Sequence, residues 1–324
     1  MIDTNDIKVL QPSNRRSRWP FRPWCLSVLL LAAAGCSGMG SDAKQVTTPT
    51  PAVSSEALLT AAEADIEARR FQLAYQRLAR LDPAMLATPR AQLASGEVLL
   101  GLGESKQALA QFQAVQSDET YRARAYQGMA LSLMALGDFS TAKSQLDRAV
   151  EADPNLWRSW MALGRVYDGN KNWTEAEAAY EKALAVQPES PIIVNNIGMS
   201  LMLQHRYPEA AQAFERALAA DPAMEMTRTN LRIALAWQGQ YDEALVGTQA
   251  AGRADALNNV GYVAMLRGDS QTAQKYFSQA LELSPTYHER AARNLETLKL
   301  LLKSRAPDQM GLAIGAPPPP QPVN

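Results

Sequence analysis

Four asparagines are the residues of this 324-residue chain whose type and spacing best suit a chemical task. Asn196, Asn230 and Asn259 each stand immediately before an aliphatic residue, at the same place in three successive sequence blocks. Asn294 before Leu295 continues the series if the last block is shifted by one residue. A carboxamide donates to a backbone C=O and accepts from an N–H at the same time. A ladder of such groups could grip the main chain of an extended peptide without reading its side chains, or it could buttress neighbouring helices through local bonds. Around the ladder the same frame places Met199, Met202, Ile233, Trp237, Tyr262 and Met265, an apolar and adaptable lining. No catalytic constellation competes with this reading. Cys25 and Cys36 both precede the blocks, His205 and His288 lie far apart, and there is no Gly-rich phosphate loop, nucleophile elbow or metal-ligand spacing. The expectation is a binding protein, not an enzyme, with no cofactor or metal.

The elements that must position these residues are visible between Trp157 and Pro222. Two blocks of 34 residues repeat there: Trp160, Leu163, Gly164, Tyr167, Ala176, Tyr180, Ala183 and Pro188, then Val194, Ile197, Gly198, Leu201, Ala210, Phe214, Ala217 and Pro222. The first four positions lie three, one and three residues apart, which is one face of a helix, and the next three mark a second helix. Small residues at Gly164, Ala176, Gly198 and Ala210 allow the paired helices a close approach, and the Pro ends the second helix. Length and offsets resemble the tetratricopeptide repeat (TPR), which implies an all-α helix-turn-helix solenoid whose first helices line a concave face.

The same phase gives starts at 55, 89, 123, 157, 191 and 225. It then breaks. The block from Glu225 has Arg232 where Gly or Ala is expected, its second helix is cut short by Gly247 to Gly252, and the next block starts early at Ala254. Six to seven repeats over residues 55–303 are expected, with a capping helix from Thr286 to about Lys303 and a disordered Pro-rich tail over 304–324. The early groove reads as mixed polar (Arg90, Glu97, Arg124, Gln127, Arg158, Arg165, Asp168) and the later one as apolar.

Residues 1–35 read as an export signal: a basic region of Arg15, Arg16, Arg18 and Arg22, then an apolar stretch from Trp24 to Ala34 too short to span a bilayer. LAAAGC, ending at Cys36, resembles the bacterial lipobox, which implies lipidation of Cys36. Ser37 after it favours the outer membrane. Residues 37–54 are small and polar, a flexible tether completing the segment 36–54. Loss of residues 1–35 takes the formal charge from -1 to about -4, so a lipid, not a basic surface, would hold the chain to the membrane. That charge and a pI near 6.2 argue against a nucleic-acid partner.

With lipobox, tether and repeats together, TRTNLRIALAWQGQYDEA and ADALNNVGYVAMLRGD resemble the C-terminal half of the TPR lipoproteins that assist Flp (tight adherence, Tad) pilus assembly. The resemblance spans about residues 190–300. It implies a periplasm-facing outer-membrane lipoprotein that helps a secretin or other pilus components assemble. A TPR lipoprotein regulating peptidoglycan synthesis or turnover is the competing expectation. A catalytic domain outside the array has no segment long enough to form it.

Overall fold

In the computed structural model, residues 53–283 and 289–311 are described, and among them there are helices and no strand. The expected signal segment, Cys36 and most of the tether lie outside the described residues, as do His288 and residues 312–324. The helices follow as pairs: α1 (Ser55–Glu67) with α2 (Phe71–Leu78), then a short α3 (Pro83–Leu86); α4 (Pro89–Leu102) with α5 (Ser105–Val115); α6 (Arg122–Leu136) with α7 (Phe139–Ala152). Next come α8 (Trp157–Gly169) with α9 (Trp173–Val186), α10 (Pro191–Leu203) with α11 (Tyr207–Ala220), and α12 (Glu225–Trp237) with a four-residue α13 (Tyr241–Ala244). The array ends with α14 (Ala250–Arg267), α15 (Ser270–Leu283) and α16 (Glu289–Gly311).

Four of the pairs close by seating a ring on a glycine. A Cβ on Gly198 would stand 2.5 Å from the Phe214 ring, and one on Gly164 would stand 2.6 Å from Tyr180. Phe112 fills two such hollows, against Gly96 of its own pair and Gly128 of the next. These rings are fully buried. In the repeat from 123 the ring is replaced by Leu146 and the glycine by Ala130, so volume is conserved across the joint.

Two further rules shape each repeat. The residue fifteen places into every block has positive φ: Arg69, Gly103, Gly137, Lys171, His205, Gly239 and Gly268, at +57° to +89°. This left-handed residue reverses the chain between the paired helices, which is why glycine recurs there. At the other end, Asp153, Gln187 and Asp221 are extended, as residues preceding proline must be, and they stop α7, α9 and α11.

The phase break is a truncation. α13 has four residues where α11 and α15 have fourteen. With no ring at that place, the repeat does not need a glycine opposite, and Arg232 occupies the position. α14 starts four residues ahead of its block and packs directly on α12. One core cluster therefore runs from Met202 through Trp237 and Leu257 to Ala291. The last helix also differs from the sequence expectation: it continues past Lys303 to Gly311, so residues 304–311 are helical rather than disordered tail. No glycine precedes Gly311 to supply a left-handed stop, and the backbone passes through Pro307.

Candidate functional site: the face of the first helices

The first helices α4, α6, α8, α10, α12 and α14 form one face, and the sequence places partner binding on its second half, residues 191–300. In its first half the repeats are joined by ion pairs. Arg90 forks onto both oxygens of Glu63, at 2.8 and 2.6 Å, and also pairs with Glu56. Those carboxylates stabilise the guanidinium charge and raise its pKa further. One repeat later Arg124 reaches Glu97 at 2.7 Å. In both cases the second residue of a block meets an acid on the first helix of the block before it. Arg158 continues the arginine series but lies over the Trp157 ring at 4.9 Å, because Leu131 stands where the acid would be.

In the second half amides make most of these links, and one ion pair, Arg290 to Asp255 at 2.6 Å, joins the last two first-type helices. Asn195 Oδ1 accepts from Thr227 at 3.0 Å and from Asn230 at 3.1 Å, and Asn258 Oδ1 accepts from Asn294 at 2.9 Å. Gln127, accepting from Ser159 at 3.1 Å, is the same joint further forward. Asn196 donates to the Ile192 carbonyl of its own helix at 2.8 Å, and Asn259 accepts from Asn258. Each asparagine singled out in the sequence thus has a bond within the array. Asn230 is buried, whereas Asn196, Asn259 and Asn294 are half-buried. The acceptors Asn195 and Asn258 went unnoticed in the sequence. Their signal was present one place before each expected asparagine, in the pairs Asn195-Asn196 and Asn258-Asn259.

The expected apolar lining divides. Met199, Tyr262 and Met265 are partly open, and Ile192 and Met226 add exposed apolar surface that the sequence reading omitted. Met202, Ile233 and Trp237 are a correction: all three are core, at 5% exposure or less. Trp237 stacks on Tyr207 of the preceding repeat, centroids 5.3 Å apart and planes 9° from parallel. The same joint near the start of the array is a large-small pair, Phe71 over Gly101. Trp237 is therefore a coupling between repeats, and the truncated α13 lets α14 close over the α12 side chains beside it.

Asp168 is a second correction, since it does not line the early groove. It is buried, accepting from Tyr180 at 2.7 Å and from Ser200 of the next repeat at 2.6 Å. Burial pushes the Asp168 carboxyl above its ordinary range, against the pull of the two hydroxyls and Arg165. Burial likewise raises Tyr180. Away from this face, a cleft of about 410 Å³ lies between α7, α8 and α9. The chain's own Lys182, 4.3 Å from the Trp160 ring centre, and Lys143, 5.3 Å from that of Tyr167, sit over its aromatic walls. Among the described residues no His, Cys, Asp and Glu are grouped to hold a metal, and no helix is long and apolar enough to cross a membrane.

Family models described as tetratricopeptide repeat match residues 128–185, 161–225 and 254–287. These matches and the helix pairs described above make the fold an all-α TPR solenoid. Solved structures agree with this TPR solenoid. A thermophilic TPR protein from Thermus thermophilus aligns at TM-score 0.50 and 21% identity, covering 56% of this chain and 99% of that one. A TPR protein from Parabacteroides merdae aligns at 0.50 and 16%, covering 76% and 98%. The Cut9-Hcn1 hetero-tetramer of the APC/C aligns at 0.56 and 18%, covering 78% of this chain and 50% of that chain. No curated protein matches the chain in sequence. TPR arrays act by binding protein partners, and this fold offers a continuous face on which to do so.

Proposed function

We propose that this TPR protein is a lipid-anchored, periplasm-facing scaffold at the outer membrane that captures a segment of a pilus or secretin component and so assists Flp/Tad-type assembly. The observation that carries the reading is the semi-open strip on the first helices of the second half. Asn196 and Asn259 there share a face with Met199, Tyr262, Met265 and the exposed Ile192 and Met226. Amides at repeat spacing beside adaptable apolar side chains suit an extended or amphipathic peptide. The sequence resemblance over residues 190–300 supplies the assembly role, and LAAAGC supplies the anchor at Cys36.

The test has two arms. Deleting the gene should abolish secretin multimers or surface pili, and Cys36→Ser should release the protein from the membrane fraction. Within the folded chain, Asn196→Ala with Asn259→Ala should end co-purification of the secretin while helix content is retained. Intact pili, with peptidoglycan enzymes co-purifying instead, would replace this reading with the cell-wall one.

A further inference from the structure

The truncated repeat leaves an arginine without an anion. In the other repeats, the eighth residue of the first helix faces the second helix of its own pair, as the Gly198–Phe214 and Gly164–Tyr180 contacts show. Arg232 stands at that position in α12, and only the four residues of α13 remain of its second helix. Its side chain is half-buried, and its Nε is sealed from solvent with no hydrogen-bond partner among the described residues. Burial and Arg228 both lower the Arg232 pKa. Glu225 acts the other way but is itself paired with Arg228. The rest of this half-buried side chain has no anion beside it among the described residues, and a carboxylate is the group whose geometry a guanidinium fits.

The neighbouring surface has the shape for such a group to arrive on a helix. Second helices on either side, α11 and α15, have fourteen residues each, so about ten residues, roughly 15 Å of helix, are missing between them. On the same side of α12 Leu231 and Leu235, packed against the core and partly buried, flank the two arginines. After Leu245 the chain instead forms a loop that leaves Val246 exposed.

We infer that the face of α12 bearing Arg228, Leu231, Arg232 and Leu235 is a second docking surface, which takes a short amphipathic helix of a partner protein with a Glu or Asp opposite Arg232. The partner supplies the missing second helix of the sixth repeat. The site lies on a different face from the strip of the proposed function, and it does not depend on a pilus partner.

The probe is a 14-residue peptide with the Tyr207–Ala220 sequence and Phe214→Glu, cross-linked on its outer face to hold it helical and titrated against the full chain. This peptide should bind about tenfold or more tightly than the version retaining Phe, and added salt should weaken it. Arg232→Gln should remove that advantage, and Arg232→Glu should transfer the preference to a Phe214→Arg peptide, with circular dichroism confirming unchanged helix content in both variants. Equal binding of the Glu and Phe peptides, no binding of either, or indifference to Arg232→Gln would overturn the inference. So would a dimer of the full chain that Arg232→Glu dissociates, because a second copy would then occupy the face. As no pilus component enters the titration, its failure leaves the capture role to stand or fall on its own test.

Discussion

The two halves of the array build the same joint from different chemistry. Before Trp157 successive first helices are linked by Arg90 to Glu63 and Glu56 and by Arg124 to Glu97. After Pro191 they are linked by Asn195 to Thr227 and Asn230 and by Asn258 to Asn294, with one ion pair, Arg290 to Asp255, at the last joint. The ionic rungs are partly exposed, so water and salt screen them, whereas the Asn195–Asn230 rung is largely shielded. An amide rung between repeats also contains no ionised group, so the face beside it can stay apolar without charges that resist desolvation. The half with the open apolar strip is the half richer in amide rungs.

The largest effect should come from the element common to both halves, the ring on glycine. Phe112→Ala vacates two hollows at once, at Gly96 and Gly128, and should cost about 3–5 kcal/mol by thermal or urea unfolding. Because each repeat contacts only its neighbours, this loss should melt the first half before the second. Gly198→Ala should cost about 1–3 kcal/mol, since the new methyl meets the Phe214 ring. A loss below about 0.5 kcal/mol would mean that the ring yields freely and does not lock the pair.

The two kinds of rung are separated by salt. Asn230→Ala should cost about 1–2 kcal/mol, because the half-buried Asn195 oxygen loses one of two donors, and the loss should be the same in 50 mM and 1 M NaCl. Arg90→Ala should cost about 1 kcal/mol or less at low salt and less again at high salt. Equal salt dependence of the two variants would erase the distinction between the halves.

Asp168 sits at the boundary, joining α8 to Ser200 of α10 without a salt-bridge partner among the described residues. Its folded pKa is raised by burial above the ordinary 3.8, so the native state binds its proton more readily than the unfolded chain does. The stability linked to that proton is full below the ordinary value and is lost as pH rises through the folded one. Relative to Asp168→Asn, the natural chain should therefore lose stability between acid and neutral pH. Paired melts from about pH 3.5 to 8 measure this, and a difference constant across that range would show that burial does not control this carboxyl.

Much of the fold was legible because the repeat writes its own frame. Gly164 with Tyr180 and Gly198 with Phe214 recur 34 residues apart, and those positions close the helix pairs. Arg232 in place of Gly and the early glycines after Leu245 marked the truncation. The groove was less legible, because position within a first helix does not decide exposure once a neighbour is shortened. Ile233 and Trp237 occupy face positions, yet the loss of a second helix lets α14 cover that region. Asp168 was misplaced for a similar reason: an acid one turn from Arg165 reads as surface, and only the ring of Tyr180 and Ser200 from the next repeat reveal it as buried.

The smallest effect concerns the turn that both halves share. Lys171 adopts φ +61° where Gly103, Gly137 and Gly268 serve other repeats, and a side chain in that conformation costs about 1 kcal/mol. The greater freedom of an unfolded glycine offsets part of this. Lys171→Gly should then stabilise the chain by a few tenths of a kcal/mol up to about 1. His205, at φ +60°, has compensation: its Nδ1 lies 2.8 Å from the Tyr207 hydroxyl, and Tyr207 carries the Trp237 stack. His205→Gly removes that bond and should gain less than Lys171→Gly, or lose stability. If His205→Gly gained more in matched unfolding curves, the bond would contribute nothing, and the Tyr207–Trp237 coupling would hold without help from the turn before it.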